Sequence, residues 1–281
     1  MSSPIESSPR GGYPRRIVCL TEEPTEVLYA IGEEARIVGI SGFTVRPARA
    51  RREKPKVSAF TSARIEEITR LGPDLVVGFS DIQADIAKDL IARGIEVWIA
   101  NHRSVEGILG YVRRLGAMVG CAQKAERYAR GLEAHVAGVR RAAGQLERRP
   151  RVYFEEWDEP RISAIRWVSE LIGIAGGDDI FPQRGASSLA RERIVADDAE
   201  IVLAAPDLVI GSWCGKKFRP ERVAARAGWS AIPAIRDGEL HEVKSPLILQ
   251  PGPAALTDGL DALHGIIARW ASRSARARKA V

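Results

Sequence analysis

The chain has 281 residues, of which 45% are hydrophobic and 28% charged, enough apolar material for a large core or two lobes of ordinary size. Its longest apolar runs, residues 75–78 and 201–205, fall far short of the ~20 residues a membrane span needs, so a spanning segment is excluded. The formal net charge of +6 owes much to the basic stretch 269–279, which reads as a solvated tail, and no zinc-finger spacing, RNP-like aromatic motif or basic heptad accompanies it, so nucleic-acid binding is not expected.

Residues 1–14 are polar and rich in Ser, Pro and Gly, and they are expected to be a flexible tail. They contain no apolar h-region, so the chain as written is expected to be cytoplasmic, or periplasmic if a leader was removed. Short Val- and Ile-rich segments follow at Arg16–Leu20, Ala35–Ile40, Leu75–Phe79 and Glu96–Ala100. Helical patterns separate them at Thr25–Ile31, Ala63–Leu71, Gln83–Arg93 and Val105–Val119. Strands alternating with helices of this length predict βαβ units and a parallel sheet over residues 15–121.

Between 122 and 149, apolar residues at Ala125, Tyr128, Leu132, Val136, Val139, Ala143 and Leu146 step by three and four along one helical face. Ala122–Arg148 is therefore expected to be a single linking helix, roughly 40 Å long at 1.5 Å per residue. Beyond it, residues 150–272 alternate again. Strands are expected at Arg151–Phe154, Leu208–Gly211 and Leu240–Val243, and helices at Val168–Ala175, Pro220–Ala227 and Leu256–Ser272, with 273–281 as a second flexible tail.

The two halves repeat each other. Residues 14–24 read PRRIVCLTEEP and residues 150–160 read PRVYFEEWDEP; residues 67–80 read EITRLGPDLVVGFS and residues 200–213 read EIVLAAPDLVIGSW. The offsets, 136 and 133, are nearly equal, which points to a duplicated unit. The expected fold is α/β: two Rossmann-like lobes with parallel sheets, joined by one long helix.

In open parallel sheets a ligand lies beyond the carboxyl ends of the strands. The residues in those positions are Glu22, Glu23, Phe43, Phe60, Phe79, Ser80, Asn101 and His102 in the first half. In the second they are Glu155, Glu156, Trp157, Trp213, Cys214 and Ser245. Five are aromatic in a chain that is only 6% aromatic, which suits a large, flat, partly apolar ligand held between the lobes. Trp157 and Trp213 are expected at the mouth of the cleft. Cys214 is a possible soft metal ligand, but a lone Cys is more often a small hydrophobe, and no metal site is assigned. Glu22 and Glu26 are expected to serve the N-terminus of the first helix, where acidic side chains offset its dipole. No nucleophile elbow, P-loop, H-E-x-x-H or dinucleotide fingerprint is present, so no catalytic residues and no cofactor are assigned. The three cysteines, Cys19, Cys121 and Cys214, form no disulfide framework, and a monomer is expected.

With these features in place, the chain resembles the substrate-binding proteins of ABC importers for cobalamin, haem and ferric siderophores. The likeness runs from Arg15 to Trp270. It rests on Arg16-Ile-Val-Cys-Leu-Thr with Pro24-Thr-Glu and Gly32, on Arg36-Ile-Val-Gly-Ile-Ser, and on Ile65-Glu-Glu-Ile with Leu71-Gly-Pro-Asp-Leu-Val. Later come Leu171, Ala175-Gly-Gly and Pro206-Asp-Leu-Val-Ile. The resemblance is strongest to the cobalamin-binding branch, and it implies ligand contacts from Phe43, Phe60 and Phe79 in the first lobe and from the segment of Trp157 in the second. It further implies an importer permease as partner, docked through one surface Glu per lobe. Glu66 matches in the first lobe, whereas the second has Ala199 flanked by Asp198 and Glu200. With no leader in the chain as written, this departure leads to the expectation of a cytoplasmic protein that buffers or delivers its ligand without an importer, the opposing reading being a periplasmic protein that docks through Asp198 or Glu200 instead. A ferric siderophore or haem is the alternative ligand, with Arg46, Arg103 and Arg184 available to an anionic chelate. An enzyme or metallocofactor-handling protein on the same scaffold is the third reading.

Overall fold

A computed structural model describes residues 12–187 and 189–279. It divides into two compact units: residues up to 101 together with 110–129, and residues 102–109 together with the chain from 130 onward.

The first unit alternates strand and helix throughout. Its elements are β1 (Ile17–Cys19), α1 (Glu22–Ala30), β2 (Ile37–Ser41), α2 (Ala50–Glu53), β3 (Lys56–Ser58), α3 (Ile65–Arg70), β4 (Leu75–Phe79), α4 (Ala84–Ile91) and β5 (Val97–Ala100). The five strands are all parallel, in the order β3-β2-β1-β4-β5. β1 and β4 are buried at every position, as expected for central strands covered on both faces. Val18, Leu20, Val57, Ile68, Val76 and Leu90 form the core on one side of the sheet. β3 escapes a sequence reading because three residues between charged segments carry no alternation to detect.

Two helices follow. α5 spans Val105–Met118 and α6 spans Ala122–Ala143. α6 begins in the first unit and runs into the second. It stops five residues before the expected end at Arg148, because Gly144 and Gln145 close the last turn with bonds to Arg140 and Ala142 carbonyls.

The second unit holds β6 (Arg151–Asp158), β7 (Arg161–Ser163), α7 (Arg166–Ala175), β8 (Asp178–Asp179), α8 (Asp198–Ala204), β9 (Leu208–Gly211), α9 (Pro220–Ala224), α10 (Pro233–Arg236), β10 (Leu240–Glu242), α11 (Ser245–Ile248) and α12 (Leu260–Lys279). Its main sheet runs β10-β9-β6-β7, with β8 beside β6. β6 and β7 form an antiparallel hairpin; the other pairs are parallel. Tyr153, Phe181, Trp213, Phe218 and Trp229 dominate the core on one side, Tyr153 meeting both Phe181 and Trp229 edge-on. The tail expected over 273–281 is helical as far as Lys279, and Arg273 pairs with Glu239; residues 280–281, like 1–11 of the other expected tail, lie outside the described residues.

The sequence repeat is realised in three dimensions. In the first unit Asp74 accepts the backbone N–H groups of Arg15 and Arg16 at 2.7 and 2.8 Å, and its own N–H returns to the Arg16 carbonyl. In the second, Asp207 accepts the Arg151 N–H at 2.9 Å and returns its N–H to the Arg151 carbonyl. Each clasp starts a parallel pairing, Ile17 with Leu75 and Val152 with Leu208. The residue two before each Asp has positive φ, Gly72 at +55° and Ala205 at +45°. The first site has Gly for this turn; the second holds an Ala in the left-handed region.

Candidate functional site

In the first unit, β1 leads by way of α1 to β2 on one side, while β4 leads by way of α4 to β5 on the other. The crevice between the carboxyl ends of β1 and β4 is therefore the point at which the strand order reverses, where ligands of open α/β sheets bind. α1 starts at this crevice with Thr21 as its N-cap and Glu22 and Glu23 in its first turn. Both carboxyls are buried. Burial pushes Glu22 up to about 8, helped by the neighbouring charges of Glu23 and Glu26. Burial likewise pushes Glu23 up to about 7, against the opposing pull of the Thr21 hydroxyl. Glu22 thus sits in the first turn as expected. Glu26 does not serve the helix start; it lies a turn further on and pairs with Arg46 at 3.1 Å.

Phe43 stands on the loop after β2 and is 54% exposed, a large apolar surface for an ordered aromatic ring. The loop is held on both sides of it. One Arg51 nitrogen donates to the Gly42 and Thr44 carbonyls at 2.8 and 2.9 Å, and the Phe43 N–H reaches the Ser41 hydroxyl. Phe60, after β3, is half-buried. Phe79 ends β4 and is only 4% exposed, so it belongs mainly to the core. Ser80 is also buried; with φ of +68° it turns the chain away from the strand, and its hydroxyl accepts the Ile82 N–H.

A residue that sequence reasoning missed ties these together. Gln83 is fully buried; its side-chain oxygen accepts the Phe79 N–H at 3.0 Å, and its nitrogen donates to the Phe60 carbonyl at 3.1 Å and towards that of Leu20. One amide thus joins the ends of β1 and β4 to the Phe60 loop. Gly78 makes room for it, since a Cβ there would stand 2.5 Å from the Gln83 oxygen. A glutamine early in a helix carries no sequence signal for this role.

In the second unit, Glu155 is the centre of the carboxyl edge. It is fully buried, and Arg226 grips both of its oxygens at 2.7 and 2.8 Å, while the Tyr153 hydroxyl and the Trp213 Nε1–H each donate at 3.0 Å. Trp213, expected at the mouth of the cleft, is instead a core residue, 3% exposed and edge-on to Phe218. Its indole N–H finds its partner inside, which draws the ring inward. Glu156 is held by Arg193, whose guanidinium is buried and also donates to the Ser163 carbonyl.

Trp157 is half-buried, with its Nε1–H on the Glu159 carbonyl. The Lys216 ammonium lies 4.2 Å from its ring centroid and pairs with Asp158. Cys214 is exposed on the loop after β9, and Ser245 is the half-buried first residue of α11. The structure thus brings Phe60, Phe79 and Ser80 together around Gln83, and Glu155 together with Trp213; Phe43 and Cys214 stand on separate loops, and Ser245 at the start of α11. Asn101 is exposed, and His102 is buried against the Pro251 carbonyl. Among the described residues, no three His, Cys, Asp or Glu side chains are grouped so as to hold a metal ion, and no helix is long and apolar enough to cross a membrane.

Residues 17–247 match the family described as periplasmic binding protein. A vitamin B12-binding protein of Vibrio parahaemolyticus is 22% identical over 246 residues, covering 86% of this chain and 85% of its own. A Bacillus subtilis protein described as an uncharacterized ABC transporter substrate-binding lipoprotein is 24% identical over 259 residues, 89% of this chain and 79% of its own. Among solved structures, a periplasmic haem-binding protein from Roseiflexus sp. RS-1 in apo form superposes with a TM-score of 0.75 at 23% identity, over 90% of this chain and 99% of that one.

Proposed function

The chain belongs to the periplasmic binding protein family, and on that premise we propose that it binds a flat corrinoid, cobalamin-like, at the carboxyl edges of its two sheets. The observation that carries this reading is Phe43. An aromatic ring more than half exposed, on a loop held by hydrogen bonds on either side of it, is a rigid apolar platform waiting for a flat partner. Phe60 and Trp157 extend the apolar surface of their respective edges, and the name of the Vibrio relative points to the same ligand class.

A haem or ferric chelate is the second reading, favoured by the fold shared with the haem-binding protein from Roseiflexus. Against an anionic chelate, Arg46 is already committed to Glu26 and Arg184 to Glu200 at 2.7 Å. His102, a natural haem ligand, is buried with its Nε2 on a carbonyl. At the second unit's edge the carboxylates of Glu155 and Glu156 are tied into ion pairs, which suits binding rather than catalysis there.

The same premise makes an ABC importer the partner and the cell envelope the place of action, as the name of the Bacillus relative suggests for that protein. Glu66, on α3, is 80% exposed at its side chain, with a single contact to Arg93 at 2.9 Å that an importer arginine can replace. In the second unit Glu200 pairs with Arg184, and Asp198 with Arg161 and the Trp229 Nε1–H, so Glu200 is the more exposed of the two.

Titration of the purified chain with cyanocobalamin, haemin and a ferric siderophore, followed by visible absorbance and tryptophan quenching, tests the proposal. Cobalamin is expected to bind at micromolar concentration or below. Binding of haemin or the ferric chelate with no cobalamin binding transfers the proposal to the second reading, and no binding of any of them rejects both.

A further inference from the structure

Three groups that recognise a cation meet at one point of the second unit's carboxyl edge. The Trp157 ring centroid is 4.2 Å from the Lys216 ammonium, the Trp213 centroid is 5.2 Å from it, and Asp158 forms an ion pair with it. Two indole faces and a carboxylate around one ammonium are the arrangement that aromatic cages use to hold a cation from outside. Here the cation belongs to the chain. It is carried on the turn Cys214–Lys217, four exposed residues between the buried Trp213 and Phe218, and Gly215 takes a positive φ of +74° there.

The two indoles differ in what they could do once the ammonium left. Trp213 is locked into the core by Glu155 and Phe218. Trp157 is half-buried, and its one hydrogen bond, to the Glu159 carbonyl, uses the ring edge and leaves the faces unengaged by polar contacts. Lys216 therefore covers the one aromatic face at this edge that a ligand could use. The Lys216 side chain is 38% exposed, so its ammonium can leave the indole for water.

We infer that Lys216 is an affinity-setting gate: it occupies the Trp157 face from within the chain, and a flat, neutral ligand gains that face only by displacing it. This rests on the reading of the ligand as a flat ring system. A neutral ring offers Lys216 no charge in exchange, so displacement costs the ammonium its contact with the indole, and removing the charge removes that cost. Asp158 anchors the gate in its closed position, and its amide variant is expected to act in the same direction but more weakly, since the indoles alone still attract the ammonium.

The test compares the wild type with Lys216→Met, which keeps most of the unbranched side chain and loses the charge, and with Asp158→Asn. Without ligand, acrylamide quenching of Trp157 is isolated by subtracting the matching Trp157→Phe proteins. With ligand, cyanocobalamin is titrated into each. Lys216→Met is expected to raise the quenching constant of Trp157 about twofold, and to tighten cyanocobalamin binding about three- to tenfold, the range of one cation–π contact at a partly exposed site. Unchanged quenching overturns the gate whatever the ligand. Raised quenching with equal or weaker cyanocobalamin binding overturns it too, because Lys216 would then be a ligand contact or a bystander. Failure of both the wild type and Lys216→Met to bind cyanocobalamin overturns the corrinoid reading and, with it, the displacement step.

Discussion

Arg226→Met removes the guanidinium that neutralises Glu155 in the second unit. Glu155 is fully buried, and its two bonds from Arg226 are short and nearly symmetrical, the bidentate form in which arginine holds a carboxylate best. The Tyr153 hydroxyl and Trp213 Nε1–H remain, but both are neutral donors. Stripping one partner from a buried ion pair costs about 3–5 kcal/mol, because the surviving charge is left without compensation. At roughly 2–4 °C per kcal/mol for a domain of this size, the midpoint of thermal unfolding should fall by roughly 6–20 °C. Calorimetry measures this directly, and near-ultraviolet dichroism reports the loss of order around Trp213 and Trp229. The double variant Glu155→Gln/Arg226→Met separates charge from packing. The amide oxygen can still accept from the Trp213 Nε1–H while the Tyr153 hydroxyl turns to accept from the amide nitrogen, so most of the lost stability should return. A single variant that loses less than ~1 kcal/mol, or a double variant no better than the single one, refutes the view that an uncompensated charge is what matters.

Glu22 and Glu23 hold their protons to about pH 8 and about pH 7 in the folded chain, whereas unfolded carboxyls release theirs near 4.3. The folded state binds the extra protons, so this contribution is fully present below about pH 4 and is lost as pH rises through 7 to 8, at up to about 1.4 kcal/mol per pH unit for each group. Urea unfolding at pH 5 and 8.5 is expected to show a decline that Glu22→Gln/Glu23→Gln flattens; the same decline in the double variant refutes it. Asp74→Ala and Asp207→Ala should each cost about 1–3 kcal/mol through the lost clasp, and the two losses should add in chemical denaturation because the clasps lie in separate units. Phe43→Ala is expected to weaken cyanocobalamin binding by about tenfold while changing the unfolding free energy by no more than ~0.5 kcal/mol, since the ring is mostly exposed; unchanged affinity removes Phe43 from the site. Glu66→Ala should leave ligand affinity unchanged and reduce importer-dependent uptake in the native host, and full uptake in that strain would discard the docking role.

The duplicated architecture was legible because it rests on local chemistry. The Pro-Asp-Leu-Val segments predict the start of a buried strand in each half, and the structure uses each Asp to clasp the neighbouring strand. Longer elements with a clear period were legible: α5 lies within one residue of its expected bounds, and α6 starts where expected and ends five residues early. What escaped was short or set by distant partners. β7 is three residues long and owes its pairing to the hairpin with β6, and the basic residues at 269–279 that read as a loose tail continue α12.

The candidate site shows the same division more sharply. Position after a strand could be read; exposure could not. Trp157 and Trp213 both lie at the end of a strand in the duplicated pattern, yet one is half-buried and the other is core. The difference comes from Glu155, whose oxygen takes the Trp213 indole N–H, and from Arg226, 71 residues further along the chain, which makes that carboxylate tolerable inside. The paired glutamates diverge for a related reason. After β1 the chain turns at once into α1, so Glu22 and Glu23 enter a helix start with no Arg paired to either carboxylate, and burial raises them. β6 instead continues through Glu155 and Glu156 into its hairpin, so the same two residue types remain in a strand and recruit Arg226 and Arg193. The repeat is therefore kept where it builds the sheet and broken where the sheet ends. That is where the two halves of a duplicated scaffold come to present different chemistry.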